Sequence, residues 1–185
     1  MSDVAKALWT PTGESIANSR MNHFAQLANE SGDLHAWSIN QPEQFWSLVW
    51  DDCGVVGHKG ERSFLAAQPG APMSTSRFFP DAVLSVVENM LAKSGGGEAL
   101  VAIDEAGNRR NRSWDELRAR VSFIASALQA RGVVAGDRVV AWLPNSIEAI
   151  EVMLGAASIG AVFSSSSPDF GTNGVLDRFG QIAPK

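Results

Sequence analysis

Cysteine occurs once in the chain, at Cys53, so no internal disulfide or cysteine zinc cage can form, which fits a reducing cytoplasm. Histidine is nearly as scarce. His23, His35 and His58 share no metal-ligand spacing on one helix and read as solvated or capped side chains, not ligands. Long apolar runs are missing too. The longest, at 152–163, falls well short of the roughly 20 residues a membrane span needs. Residues 1–13 lack the apolar stretch of a signal peptide. Positive charge is not in excess: 15 Lys and Arg stand against 20 Asp and Glu, a formal charge of −5. That balance leaves no footprint for nucleic acid or an anionic membrane surface. Tyrosine is absent beside six tryptophans, an imbalance that points to no function.

Against these absences stand 185 residues, 45% hydrophobic and 19% charged, enough to bury a core and to exclude wholesale disorder. A prior of roughly 100–200 residues per domain allows one domain or slightly more. Residues 1–80 and 98–185 differ in texture. In the first part, Ile16, Phe24 and Leu27 predict a helix over 14–30, stopped by Ser31-Gly32-Asp33. Asn40 can cap a second helix with Pro42 in its first turn and Phe45, Trp46, Val49 and Trp50 as a broad apolar stripe. Residues 54–80, rich in Gly, Pro and Ser, read as a wrapping loop. After Phe78-Phe79-Pro80 a third helix is predicted to about Lys93, with Val83, Val86, Val87, Met90 and Leu91 inward.

Ser94-Gly95-Gly96-Gly97 follows that helix. Glycine-rich loops can cradle phosphates, but such loops run from strand to helix. Here a helix precedes and a strand follows, so the run reads as a C-cap and flexible joint. Beyond it the pattern is regular. A strand over 99–103, a turn and a partner strand over 109–112 lead to Ser113-Trp114-Asp115-Glu116, which has the spacing of a capping box. Leu117, Val121, Ile124 and Leu128 form the buried stripe of the next helix, which Gly132 ends. A strand over 137–143 follows, then a helix capped by Asn145 with Ile147, Ile150, Leu154 and Ala157 on its inner face. A strand over 161–165 and a helix carrying Val175, Leu176, Phe179 and Ile182 complete the series. Strand–helix alternation at this spacing predicts βαβ units and a parallel sheet covered by helices. The fold class is α/β: an incomplete parallel-sheet domain over 98–185, preceded by a mainly helical and loop extension over 1–97. The chain stops where a further strand is expected, so it reads as an amino-terminal fragment.

Catalytic groups are few. There is no nucleophile elbow, Walker loop or dinucleotide fingerprint. Arg109, Arg110, Arg112, Arg118 and Arg120 make a local basic cluster, which reads as a solvated hairpin and helix face balanced by Asp115 and Glu116. The stretch Ser164-Ser165-Ser166-Ser167-Pro168-Asp169-Phe170-Gly171 falls between a buried strand and a helix, at the carboxyl edge of the sheet where open α/β folds bind ligands. Two readings stand side by side: hydroxyls that contact a polar or phosphorylated ligand, and a polar turn that caps the next helix.

Trp142-Leu143-Pro144-Asn145, with Ala156-Ala157-Ser158-Ile159-Gly160-Ala161-Val162-Phe163, resembles the first conserved region of adenylate-forming acyl-CoA synthetases. Ser166-Ser167-Pro168-Asp169-Phe170-Gly171, with Val175-Leu176-Asp177-Arg178-Phe179 and Gln181-Ile182, is similar to the acetoacetate-activating branch of that family. Phe45-Trp46 resembles the Phe-Trp of its amino-terminal extension. Phe78-Phe79-Pro80 and Glu88-Asn89-Met90-Leu91 resemble its Trp-Phe-Pro and Glu-Asn-Leu-Leu, with Phe78 in place of the usual Trp. The resemblance runs from about Leu8 to Lys185 and rests on the order and spacing of these motifs together.

The resemblance implies an acid–thiol ligase that uses ATP, Mg²⁺ and CoA. A carboxylate and ATP give an acyl-adenylate and pyrophosphate, and the CoA thiol then displaces AMP. The family's phosphate loop, Thr-Glu pair, ribose-binding Asp, hinge and late catalytic Lys have no counterpart in residues 1–185. No catalytic residue and no metal ligand is therefore carried over, and this stretch alone is expected to be inactive. In related acetyl-CoA synthetases a glycine-rich loop at the place of Ser167, Pro168 and Asp169 contacts the CoA nucleotide, and the resemblance implies a CoA contact at these three residues. The expected partners are small molecules (acetoacetate, ATP and CoA), with no nucleic acid and no membrane, in the cytoplasm. The rival readings are a ligase for acetate or propionate and a non-enzymatic α/β binding module.

Overall fold

The computed structural model describes residues 7–30 and 32–185. Residues 1–6 of the expected extension, and Ser31 of the expected helix stop, lie outside the described residues. The chain divides into two compact units, Met1–Leu84 and Ser85–Lys185. The helix that starts at Val86, ahead of the glycine run, buries Val87 in the core of the second unit.

In the first unit the helix expected over 14–30 is two helices, α1 (Gly13–Ala17) and α2 (Arg20–Leu27). The Ser19 side chain accepts the Asn22 N–H, and this cap starts α2 afresh. Asp33, expected in a stop, instead caps α3 (Leu34–Asn40) by accepting the Ala36 N–H. Asn40 is therefore the end of α3, and Gln41 stands at the N-cap of α4 (Pro42–Asp52), with Pro42 at its start. Residues 54–80 are a loop pinned by a two-residue antiparallel ladder between β1 (Phe64–Leu65) and β2 (Arg77–Phe78). Rings hold this unit together. Phe24, Trp37, Phe45, Trp46, Phe78 and Phe64 meet in successive edge-on or tilted pairs 5.0–5.9 Å apart. Trp50 is buried against Phe79.

The second unit opens with α5 (Val86–Met90), capped by Ser85. It is shorter than expected, and Val86 and Met90 are exposed while Val87 is buried. A helix of five residues presents little more than one position to a core. Val83, also expected inward, lies in the first unit and is exposed. Strands β3 (Glu98–Ile103) and β4 (Arg109–Ser113) form an antiparallel hairpin. Helix α6 (Trp114–Ala130) begins with the capping box in full: Ser113 Oγ accepts the Glu116 N–H, and the Glu116 carboxylate accepts the Ser113 N–H. Strand β5 (Arg138–Trp142), α7 (Ile147–Ser158) and β6 (Val162–Ser166) make one βαβ unit, with β5 and β6 parallel from Arg138–Val162 to Trp142–Ser166. Helix α8 (Thr172–Gly180) follows. The fold is thus mixed α/β behind a helical and loop part. Among the described residues the parallel sheet has two strands, and β3 pairs with β4 alone.

Val87, Leu117, Val121 and Leu154 form one core cluster, and Val133, Ala156 and Ala161 another. Helices α6 and α7 touch where Gly155 meets Ile124, so closely that a Cβ on Gly155 would lie 2.6 Å from the Ile124 side chain. Ala156, and not Ala157, is the buried alanine of α7. Ser146, rather than Asn145, stands at its N-cap. Among the described residues no helix is long and apolar enough to cross a membrane.

Candidate functional site at the carboxyl edge of the parallel strands

Strands β5 and β6 end side by side at Trp142 and Ser166, and the chain continues from β6 into a loop over 167–171. The Leu143 N–H donates to the Ser166 carbonyl and extends the ladder by one rung, at 3.4 Å. Trp142 Nε1 donates to the Ser167 carbonyl at 3.2 Å, which ties the loop to the neighbouring strand. The Phe170 N–H donates to the same carbonyl, closing a turn with Pro168 at its first corner. Ser167 Oγ donates to Asp169 Oδ2 at 2.7 Å and accepts the Asp169 N–H at 3.3 Å. The three expected residues are therefore contiguous and shaped by their own hydrogen bonds, with Ser167 half-buried and Pro168 and Asp169 exposed.

Of the two readings left open for this stretch, the turn is present but the cap is not. Gly171 stands at the N-cap of α8, so no hydroxyl of Ser164 to Ser167 closes that helix. Ser166 is 8% exposed, and its Oγ has no hydrogen-bond partner among the described residues. The Arg178 guanidinium lies over the Phe170 ring, 4.0 Å from its centroid.

The arginine cluster does not form an anion site. Arg109 pairs with Glu98 at 2.7 Å, Arg110 with Glu148 at 2.9 Å, and Arg118 donates to the Lys93 carbonyl. Arg112 and Arg120 both reach Glu151, at 3.0 and 3.3 Å. The carboxylates expected to balance the cluster act elsewhere: Asp115 accepts the Gly95 N–H, and Glu116 serves the capping box. Arg110 and the backbone hold the Glu148 carboxyl down from 4.5 to about 2. Hydrogen bonds from Arg109 and then Asn111 lower Glu98 in the same sense. Sequence reasoning missed Glu151, which is fully buried on α7. Its place four residues after Ile147 and three before Leu154, on the buried stripe, is the signal that locates it.

The glycine run joins helix to strand, as expected, and its backbone is engaged. Gly95 N–H donates to Asp115, and the Gly97 carbonyl accepts the Trp114 N–H. In the first unit a wide groove of about 1200 Å³ lies between residues 9 and 34. Among the described residues that line it, Glu30 is the only ionisable one, and these residues offer no pair of groups for acid–base chemistry.

A family model described as AMP-binding enzyme matches residues 87–185. The acetoacetyl-coenzyme A synthetase of Rhizobium meliloti (strain 1021) is 45% identical over 188 residues, covering 97% of this chain and 28% of the relative. A malonamoyl-CoA synthetase of Penicillium aethiopicum is 35% identical over 159 residues, covering 83% of this chain and 22% of the relative. The solved acetoacetyl-CoA synthetase from Streptomyces lividans superposes with a TM-score of 0.80 at 33% identity, over 97% of this chain and 29% of that one. The chain thus spans about 28% of the length of the acetoacetyl-CoA synthetases it resembles.

Proposed function

The chain belongs to the family of AMP-binding enzymes, and from that premise we propose that it is the amino-terminal part of an acetoacetate–CoA ligase. The likeness to acetoacetyl-CoA synthetases over 97% of the chain, in sequence and in fold, carries this reading. The acetoacetate carboxylate attacks the α-phosphorus of ATP and expels pyrophosphate. The CoA sulfur then attacks the acyl carbonyl of the adenylate and expels AMP. Residues 1–97 are the amino-terminal extension in this proposal, and 98–185 the opening of the large AMP-binding domain. The substrates are small molecules, and the single cysteine fits a cytoplasmic setting.

Among the described residues no group of three carboxylate, histidine or cysteine side chains converges. This part of the ligase supplies the scaffold of β5, α7 and β6 and the loop at their carboxyl edge. Ser167, Pro168 and Asp169 are its proposed contact with the CoA nucleotide. The loop is exposed, polar and preshaped, so little conformational freedom is lost when a ligand binds. In the complete ligase, Asp169→Ala raises the KM for CoA and leaves that for ATP unchanged. Equal effects on both would make the loop a structural turn.

The malonamoyl-CoA synthetase favours a second reading, a ligase for another short acid with a carbonyl β to its carboxylate. Acetoacetate and malonamate differ there only by a methyl against an amino group. Incubating the complete protein with ATP, CoA and each acid, and weighing the thioester formed, separates the two. A complete protein that binds these ligands and leaves ATP intact would instead support a non-enzymatic module.

A further inference from the structure

Phe170 immediately follows Asp169, and Arg178 stands in the last turn of α8. Their stacking, with the guanidinium carbon 4.0 Å from the ring centroid, spans the whole joint between loop and helix. Apart from the stacking, the joint is held by the Phe170 N–H on the Ser167 carbonyl and by a few other local bonds. Its leading end is fixed by the Trp142 bond to the Ser167 carbonyl. Asp169 is held by Ser167, its own neighbour in the loop. At the trailing end Gly171 provides no side-chain cap. No carboxylate of the described residues pairs with Arg178, so the Phe170 ring is its partner. A planar guanidinium can lie flat on a ring while its charge faces water, which a lysine ammonium cannot reproduce.

We propose that Arg178 is a positioning residue for the 167–169 loop: its guanidinium clamps the Phe170 ring and so fixes Asp169 where CoA meets it. The proposal rests on reading that loop as a CoA contact. Releasing the clamp frees the Phe170 end of the loop, which must then be held in place at each binding event; this weakens CoA binding and leaves adenylate formation alone. An exposed cation–π contact corresponds to about a two- to fivefold change in an equilibrium.

The test compares Arg178→Ala, Arg178→Lys, Phe170→Ala, the double variant Phe170→Ala/Arg178→Ala, and Asp169→Ala in the complete ligase. The expected result is a KM for CoA raised about two- to fivefold in each Arg178 and Phe170 variant. The double variant is no worse than either single change, since the pair acts as a unit. The KM for ATP and acetoacetate-dependent ATP–pyrophosphate exchange stay at the wild-type level, which also reports that each variant is folded. Full rescue by lysine overturns the clamp, and so does a double variant whose effects multiply. Exchange falling in parallel with CoA use reduces the contact to general stability and overturns it as well. A raised KM for CoA in Asp169→Ala with none in Arg178→Ala removes the positioning role alone. No change in either removes the loop reading itself.

Discussion

Removing the two arginines that reach Glu151 should destabilise α7 more than removing Glu151 does. Glu151 is 0% exposed, whereas the Arg112 and Arg120 side chains are 29% and 46% exposed. The carboxylate has nowhere to go when its partners are lost. Arg112→Met/Arg120→Met strands a buried charge, a change that typically costs about 3–5 kcal/mol. Glu151→Gln keeps the shape and one acceptor oxygen, while the arginines can turn to water along their exposed edges. Its loss is that of one charge-assisted hydrogen bond, about 1.5–3 kcal/mol at most. Replacing all three by Met removes both the attraction and the desolvation penalty, and should recover much of the loss suffered by the double variant. Hydrogen exchange of α7 amides in the complete protein reads these local opening free energies. Greater loosening of α7 by Glu151→Gln than by the double arginine variant, or loosening by neither, would refute this.

Acid should reverse the Glu148 contribution. Its folded-state carboxyl is held at about 2 against an ordinary 4.5, so the stabilisation is present above the ordinary value and fades as pH falls toward 2. Both side chains of the pair are about half exposed, so salt should weaken the effect. Arg110→Ala should bring the Glu148 titration, followed by carboxyl NMR, back toward 4.5, and an unmoved titration would discount the pair. The 185-residue chain alone should fail to support acetoacetate-dependent ATP–pyrophosphate exchange, and exchange with this chain as the sole protein would contradict that. Val101, Ile103, Phe123, Trp142 and Val162 stand exposed in its second unit. Each is 47–69% exposed and so forgoes about half or somewhat more of the roughly 1.5–3 kcal/mol that full burial supplies, against a domain stability of about 5–15 kcal/mol. The isolated chain should therefore be helical in the far-UV and weak in the near-UV despite six tryptophans. A sharp cooperative melt with strong near-UV bands would refute that.

Features written by neighbouring residues could be read from the sequence. The Ser113–Glu116 box, the turn of the 109–113 hairpin and the order β5, α7, β6 all depend on hydrogen bonds or periodicity within a few positions. Features that depend on which element comes to lie alongside another could not. Whether β3 joins β5 or folds back on β4 is a matter of pairing, and an apolar strand of six residues is compatible with either. Arg112 and Arg120 stand beside Asp115 and Glu116 in sequence, yet find their carboxylate on α7, some 30 to 40 residues away. The apolar spacing of Ile16, Phe24 and Leu27 reads as one helix and hides the break at Ser19, where an Asn-Ser pair favours a new cap over continuation. At the candidate site, Ser167 and Asp169 form a local motif that their spacing allows. The stacking of Arg178 on Phe170 crosses a loop and two turns of helix, and nothing in the local pattern marks it.

Acetoacetate-dependent ATP–pyrophosphate exchange by the complete protein, compared with acetate, propionate and malonamate at equal concentration, decides whether this chain opens an acetoacetate–CoA ligase. Exchange with acetoacetate is expected at a kcat/KM well above that for acetate and propionate, with thioester formation once CoA is added. Exchange driven by acetate or propionate in preference to acetoacetate, or no exchange with any acid, would contradict that reading.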